Sequence, residues 1–354
     1  MNAADQILFT CARQTFTSAH SAELATMCRQ PIHWARVFES ARANSIAPLV
    51  YSNLLKTRLD PPLPAEVAAR FNETLWETIF VKEKMAKVLP QVFEHFPHED
   101  LLLVKGAALN HFVHEQPWYV WSFDVDLVFR RRRDQFQEQD YAELVTFFEK
   151  VNRSIRPFDQ NIEYECFAHH DLTLNGILPI NFEQVWQNAT PLLLDAHTVF
   201  IPSPEDMLLF ACVNACRKRY FYLKALFDIA EIIAKYPALD WATFTQNARA
   251  YRCNLIAYAA MRLTQRTLGA NVPPSALMQL GLAAPRRWLI EFLIDMLIQW
   301  GSLTSLSRER GAALFGRKLG WSLLLTYATY RWDQFAPKLD EIRAGWKLQS
   351  SVSS

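Results

Sequence analysis

Two aspartates separated by one residue are the feature of this sequence with the clearest chemical potential. Asp124 and Asp126 lie in the segment DVDLVF (124–129), whose composition and alternation predict a strand. Side chains at positions i and i+2 of a strand point to the same face, which places the two aspartates about 7 Å apart at Cα. Carboxylates so placed can bind two Mg²⁺ ions, the arrangement that supports nucleotidyl transfer. The alternative is a solvated strand face whose carboxylates bind nothing.

A second segment, LLLVKGAALNHF (101–112), predicts a strand followed by a helix, with Lys105, Gly106 and Ala107 at the junction. Glycine at such a turn lets backbone N–H groups approach a phosphate, and the helix N-terminus adds positive potential. Lys105 contributes a full charge. We therefore predict a triphosphate-binding turn, the alternative being an ordinary strand-to-helix glycine beside a surface lysine.

The elements that must position these residues form a small mixed sheet between helical regions. The sheet has strands at 101–106 and 124–129, followed by an amphipathic helix at 133–151. Two further alternating segments, 162–174 and 177–186, flank the turn dipeptide Asn175-Gly176, which predicts an antiparallel hairpin. The predicted class is α/β (α+β), with helix dominating the chain overall.

Helical periodicity predicts four or five helices before the sheet, one of them beginning near Pro64, and a long helical region after it. That region follows a linker at 200–207 and opens with Ser203 as N-cap. The predicted organisation comprises an N-terminal helical region at 1–95, a core that carries the sheet at 96–200, a C-terminal helical domain at 201–348 and a frayed tail at 349–354.

Composition excludes several classes of protein. Only 9 of 354 residues are glycine, which disfavours folds built from many tight turns, and 51% of residues are hydrophobic, which excludes wholesale disorder. The 37 Lys and Arg residues nearly cancel the 36 Asp and Glu residues. A formal charge of +1 gives no general attraction for polyanions, so no stable nucleic-acid binding is expected.

Cysteine usage and hydropathy predict a cytoplasmic protein. The six cysteines form no CxxC pair, the first residues carry no secretion signal, and no apolar stretch reaches the ~20 residues of a transmembrane helix. Trp288, Trp300 and Trp321 leave peripheral membrane contact open, although buried helices explain them more simply.

The order VKGAAL (104–109), DVDLVF (124–129), a helix and a later strand with acidic residues resembles the nucleotidyltransferase superfamily typified by DNA polymerase beta. It is closer still to a bacterial nucleotidyltransferase family with the signatures Leu-Lys-Gly-Ala and Asp-Ile-Asp-Leu. The segment 203–233 resembles the helix that follows the catalytic sheet in that family, and the resemblance spans about residues 30–270.

This resemblance implies an activity and roles for individual residues. Asp124 and Asp126 match the metal-binding pair, Gly106 and Ala107 match the residues that hold the nucleotide phosphates, and Lys105 matches the lysine before that glycine. The implied reaction moves a nucleoside monophosphate from an NTP co-substrate to an acceptor hydroxyl, with Mg²⁺ as cofactor and pyrophosphate as product. The acceptor class stays open among sugars, small metabolites, peptides and proteins.

The third carboxylate of the superfamily is the main departure. Asn181 stands at the matching position, and Glu183, two residues further on the predicted strand, lies on the same side and is the candidate third metal ligand or base. If Asn181 occupies the site, the alternative is a catalytically impaired nucleotide- or partner-binding protein. Ala107 also replaces a common serine, and no arginine precedes Asp124 in Trp121-Ser122-Phe123.

Four cations on the segment after the sheet extend the candidate site: Arg217, Lys218, Arg219 and Lys224. Lys224 or Arg217 is the candidate for contact with the triphosphate or acceptor. The alternative is a structural ion pair, because Lys224 and Asp228 are i,i+4 neighbours on a predicted helix.

Overall fold

Within residues 3–96, which the structure describes, five α-helices precede the sheet, in agreement with the predicted four or five. The computed structural model describes residues 3–96, 101–122, 124–130, 137–155, 163–165, 172–174, 176–194, 197–220, 222–299, 324–326 and 329. The predicted helix start near Pro64 is confirmed, because Pro64 is the N-cap of the fifth helix. The helices are α1 (Ala3–Cys11), α2 (Ser18–Cys28), α3 (Trp34–Ala43), α4 (Ala47–Lys56) and α5 (Ala65–His95).

A five-stranded mixed sheet lies at the centre of the chain, as the predicted α/β class requires. Its strands, in the spatial order β3-β2-β1-β5-β4, pair antiparallel at β1·β2 and β4·β5 and parallel at β2·β3 and β1·β5. The predicted strand at 124–129 is confirmed as β2, and the one predicted at 101–106 is confirmed over 101–103 only, because a helix begins at Lys105. The bounds are β1 (Leu101–Leu103), β2 (Asp124–Phe129), β3 (Glu163–Glu165), β4 (Thr190–Leu194) and β5 (His197–Ile201).

The predicted strand at 177–186 is wrong, and with it the predicted hairpin. Helix α8 (Phe182–Asn188) occupies its second half, because Asn181 Oδ1 accepts a hydrogen bond from Gln184 N at 3.3 Å and so caps a helix. Asn175 lies outside the described residues. The hairpin that does form is β4·β5, whose second strand extends into the predicted linker at 200–207.

Helices complete the described chain on either side of the later strands. The predicted N-cap Ser203 is confirmed, since its side chain accepts a hydrogen bond from Asp206 N. The predicted tail 349–354 lies outside the described residues. The helices are α6 (Lys105–Phe112), α7 (Glu138–Ile155), α9 (Pro204–Arg217), α10 (Leu223–Lys235), α11 (Trp241–Ala250), α12 (Asn254–Leu268), α13 (Pro274–Gln279) and α14 (Ala284–Gln299).

Both faces of the adjacent strands β1 and β2 are largely buried. Leu101, Leu103 and Leu127 point into the main hydrophobic core, whereas Leu102 and Val128 pack in a second cluster on the opposite face. Alternation along a strand produces this division. No helix among the described residues is long and apolar enough to cross a membrane.

Buried hydrogen bonds join the N-terminal helices to α10. Asn44, which caps α3, accepts a hydrogen bond from Leu223 N at 2.8 Å and donates one to Ser40 O at 2.9 Å. The next residue, Ser45, contacts the Tyr222 hydroxyl with its side chain and accepts a hydrogen bond from Trp121 N with its carbonyl. The end of α3 therefore fixes both the start of α10 and the segment that leads into β2.

Replacing Asn44 with alanine tests this connection. Asn44→Ala leaves the buried Leu223 N–H without its acceptor, and we expect a loss of about 1–3 kcal/mol in the free energy of unfolding. Urea denaturation measures the change. Asn72→Ala, at an exposed position of α5, is the matched control and should stay within about 0.5 kcal/mol of the wild type. Equal stability of the two variants would contradict the proposed role of Asn44 in fixing the start of α10.

Candidate functional site

A cavity of about 390 Å³ lies where α6, β2, α9 and α10 meet. Its volume is in the range of small-molecule sites. Charged and polar side chains from all four elements and from the segment before β2 line it: Lys105, Ser122, Asp124, Asp126, Asn214, Arg217, Lys218, Tyr222, Lys224 and Asp228.

Asp124 and Asp126 both line this cavity, at the beginning of β2. Asp124 is exposed, whereas Asp126 is only 1% exposed. The backbone of Asp126 is fixed by a hydrogen bond from Val104 N to its carbonyl oxygen at 3.1 Å. Strand β2 thus presents one accessible and one buried carboxylate to the same space.

The start of α6 faces these carboxylates. Lys105 is the first residue of α6, and its Nζ donates a hydrogen bond to Asp126 Oδ1 at 2.7 Å in a pair that is almost fully buried. Gly106 also lines the cavity, and a Cβ there would lie 3.3 Å from Ser122 Oγ, so glycine permits a close approach. Ala107 is buried within α6 and is not one of the lining residues.

A second buried ion pair lies on α10. Lys224 Nζ donates a hydrogen bond to Asp228 Oδ2 at 2.7 Å, and His114 Nε2 lies 3.3 Å from Asp228 Oδ1. Burial favours a raised pKa for Asp228, but Lys224 and His114 outweigh it and hold that pKa below its ordinary value. Burial opposes the charge on Lys224, yet Asp228 raises its pKa, while burial lowers the pKa of His114. Lys224 therefore stays charged beside a neutral imidazole.

Lys82 brings the N-terminal helices into the same region. It projects from α5, is 7% exposed, and its Nζ donates a hydrogen bond to the cavity-lining Ser122 at 3.0 Å. Burial, with a further contribution from Lys224, lowers the pKa of Lys82 to about 7. The sequence offers no signal for this residue, because Lys82 belongs to no motif and lies 42 positions before Asp124.

Glu183 does not join the aspartate pair. It lies in the first turn of α8, is exposed, and contacts Arg130 at 3.2 Å, and it is not among the residues that line the cavity. The prediction that Glu183 shares a strand face toward Asp124 and Asp126 is therefore wrong in its geometry, because Asn181 starts a helix there.

The strand register places other acidic residues beside the pair. β3 runs parallel to β2, with Glu163 opposite Asp124 and Glu165 opposite Asp126. Directly paired positions of neighbouring strands lie on the same face of a sheet. The alternating residues Glu163, Tyr164 and Glu165 were the feature of the sequence that indicated an acidic strand here.

The carboxylate oxygens of Asp124 and Asp126 are of the kind that Mg²⁺ prefers as ligands. Within the described part of the chain, no group of three or more His, Cys, Asp or Glu side chains is arranged to hold a metal ion. Magnesium nevertheless keeps several waters and is commonly bound by one or two carboxylates together with substrate phosphates. Asp124 and Asp126, beside the Lys105-Gly106 turn, provide that kind of incomplete site.

Comparison with known proteins gives one match. A family model described as an uncharacterised nucleotidyltransferase matches residues 30–269, about two thirds of the chain. The matched range includes every described residue that lines the cavity. No curated protein and no solved structure gives a significant match.

The Lys224–Asp228 pair predicts a large effect of neutralising one partner. Lys224→Met removes the ammonium group that compensates the buried Asp228 carboxylate, and we expect a loss of about 3–5 kcal/mol in unfolding free energy. The double variant Lys224→Met/Asp228→Leu should recover much of this loss because it buries no unpaired charge. Urea denaturation of both variants makes the comparison. A single variant no less stable than the double variant would contradict the pairing.

Lys82 predicts a pH dependence of stability. Between pH 7 and its ordinary pKa of 10.5, Lys82 is neutral in the folded protein and protonated in the unfolded chain. The unfolded state then binds more protons, so this contribution to stability rises with pH across that window. Lys82→Met removes this pH-dependent contribution to the free energy of unfolding.

We expect the stability of Lys82→Met relative to the wild type to be about 2 kcal/mol more favourable near pH 6 than near pH 9. Urea denaturation at the two pH values measures the difference. Lys84→Met, in the same helix and partly exposed, is the control and should show no such change. A pH-independent difference for Lys82→Met would show that the buried amine does not titrate in this range.

Proposed function

This chain belongs to the uncharacterised nucleotidyltransferase family, and on that basis we propose that it transfers a nucleoside monophosphate from an NTP to an acceptor hydroxyl. The proposed reaction releases pyrophosphate and uses Mg²⁺. The observation that carries the proposal is the meeting of Asp124, Asp126 and the Lys105-Gly106 turn in one cavity. An acidic strand end opposite a basic, glycine-containing helix start suits a magnesium-bound triphosphate.

We assign the phosphate contacts to cationic residues in two groups that line the cavity. Lys105 and the first amides of α6 form one group, and Arg217, Lys218 and Lys224, from the end of α9 and the start of α10, form the other. Asp228 keeps Lys224 charged and fixes its ammonium group, which reduces the freedom that Lys224 would lose on binding. The reaction then depends mainly on positioning and charge neutralisation.

Asp124 and Asp126 are the proposed metal ligands. Bound Mg²⁺ would neutralise charge on the triphosphate and on the departing pyrophosphate and would lower the pKa of the acceptor hydroxyl. The buried Asp126 gives a carboxylate of fixed position, whereas the exposed Asp124 lies where a substrate enters.

We propose β3, not Glu183, as the source of the third carboxylate. Register places Glu163 and Glu165 beside the aspartate pair, whereas Glu183 binds Arg130 away from the cavity. Either register position is a candidate for the residue that completes the metal site or accepts the acceptor's proton. Glu163→Gln or Glu165→Gln should then reduce turnover, while Glu183→Gln should not.

The second candidate is a protein that binds nucleotide without transferring it. The observation that favours it is that Asn181, which the resemblance to the superfamily places at the third acid, is an amide that caps a helix. Two measurements separate the functions. Isothermal titration should show NTP binding that depends on Mg²⁺ for the enzyme and NTP binding independent of Mg²⁺ for the binding protein. A pyrophosphate assay should show no release by the binding protein with any acceptor.

Neutralising either aspartate should abolish transfer. We expect Asp124→Asn or Asp126→Asn to lower Mg²⁺-dependent pyrophosphate release by about 100-fold or more, because each removes a metal ligand. The measurement is pyrophosphate release from each of the four NTPs over a screen of sugar, metabolite, peptide and protein acceptors.

Asp295→Asn, an exposed residue of α14 outside the cavity, is the matched control and should keep wild-type turnover. Circular dichroism establishes that each variant is folded. Wild-type turnover in a folded Asp124→Asn or Asp126→Asn variant would overturn the proposed metal site.

A further inference from the structure

The contact between Lys105 and Asp126 places a lysine on a carboxylate that is also a proposed metal ligand. Lys105 Nζ is 2.7 Å from Asp126 Oδ1, and the side chains are 8% and 2% exposed. An ammonium group and a divalent cation satisfy the same need of a buried carboxylate for positive charge. Their effects on Asp126 therefore oppose each other.

The backbone supports a specific role for this contact. Lys105 has φ +47°, a left-handed conformation that residues other than glycine seldom adopt. It starts α6 immediately after Val104, whose N–H bonds the carbonyl of Asp126. Strained conformations persist where the surrounding structure requires them, and they concentrate at functional sites. Here the residue with the strained backbone is Lys105 itself, whose ammonium group contacts Asp126.

We propose that Lys105 is an exchangeable counter-ion, which holds Asp126 until nucleotide and divalent cation arrive together. This inference rests on the proposed function of the cavity. A triphosphate offers Lys105 a new anionic partner next to Gly106, while the cation that accompanies the triphosphate replaces Lys105 on Asp126. Every charged group stays compensated through the exchange, so metal binding and nucleotide binding become coupled.

The second buried ion pair in the cavity, Lys224 and Asp228, lacks the features that suit a lysine to exchange with a cation. Lys224 and Asp228 belong to the same helix, and Asp228 is additionally flanked by His114. Lys105 and Asp126 come from different elements, and Asp126 is two residues from a second carboxylate that faces the same cavity. Only the Lys105 pair therefore combines a displaceable ammonium with a two-carboxylate cation site among the described residues.

Cation titration of the protein without nucleotide tests the exchange. Mn²⁺ serves as the calorimetric probe, with Mg²⁺ as a second cation, on the wild type, Lys105→Met and the double variant Lys105→Met/Asp126→Asn. We expect Lys105→Met to bind Mn²⁺ at least about tenfold more tightly than the wild type, because Asp126 loses its competing ammonium. The double variant should lose that gain, because it lacks the carboxylate for which Lys105 and the cation compete.

Two results would overturn the exchange: a wild type that binds Mn²⁺ as tightly as Lys105→Met, or a gain that persists in the double variant. If Lys105→Met does not fold, Lys105→Gln retains a hydrogen-bond donor and replaces it. A rise in its thermal midpoint with added Mn²⁺, larger than that of the wild type, supports the proposal. A folded Lys105→Gln without that rise overturns it.

A final titration measures the coupling itself. ATP analogues that resist transfer should raise the Mn²⁺ affinity of the wild type by about tenfold or more, and by clearly less in Lys105→Met. Equal coupling in the two proteins would overturn the role of Lys105. Absence of any nucleotide binding to the wild type would instead overturn the proposed function, while the cation titration, which needs no nucleotide, still measures the competition at Asp126.

Discussion

Buried charge is the constraint on which this cavity depends. Asp126 and Asp228 are both nearly inaccessible to water, and each has a lysine ammonium group 2.7 Å away. A buried carboxylate without such a partner would cost several kcal/mol, so the elements that supply the lysines must remain in place. The start of α6 is consequently held against β2 by electrostatics as well as by packing, whereas the Lys224–Asp228 pair lies within α10.

The N-terminal helices take part in this arrangement. Lys82 from α5 binds Ser122 on the segment before β2, and Asn44 and Ser45 fix the start of α10 next to Lys224. Three stretches of the chain that are far apart in sequence thus meet at the cavity. The helical region before the sheet positions functional side chains in addition to covering hydrophobic surface.

The distribution of charge in the cavity agrees with membership of a nucleotidyltransferase family. Two carboxylates at one strand face an excess of lysine and arginine on α6, α9 and α10. A ligand that combines a divalent cation with several phosphate charges complements both surfaces at once. The same arrangement keeps each buried charge compensated before such a ligand binds.

The sequence by itself determined the parts of the site that depend on local pattern. Alternation predicts β2 with Asp124 and Asp126, the glycine after a short apolar run predicts the start of α6, and i,i+4 spacing pairs Lys224 with Asp228. Each of these features spans only a few residues, and each relationship is set by strand or helix geometry alone.

Only the tertiary structure decided which distant groups join that site. A short segment such as 177–186 fits strand and helix periodicity equally well, and the capping bond of Asn181 selects the helix that carries Glu183 away from the cavity. Lys82 and His114 contact residues of the cavity because distant elements pack together, and no local sequence pattern connects those elements. The pairing of Lys105 with Asp126 likewise requires β1 and β2 to be neighbours, which is a property of the assembled sheet.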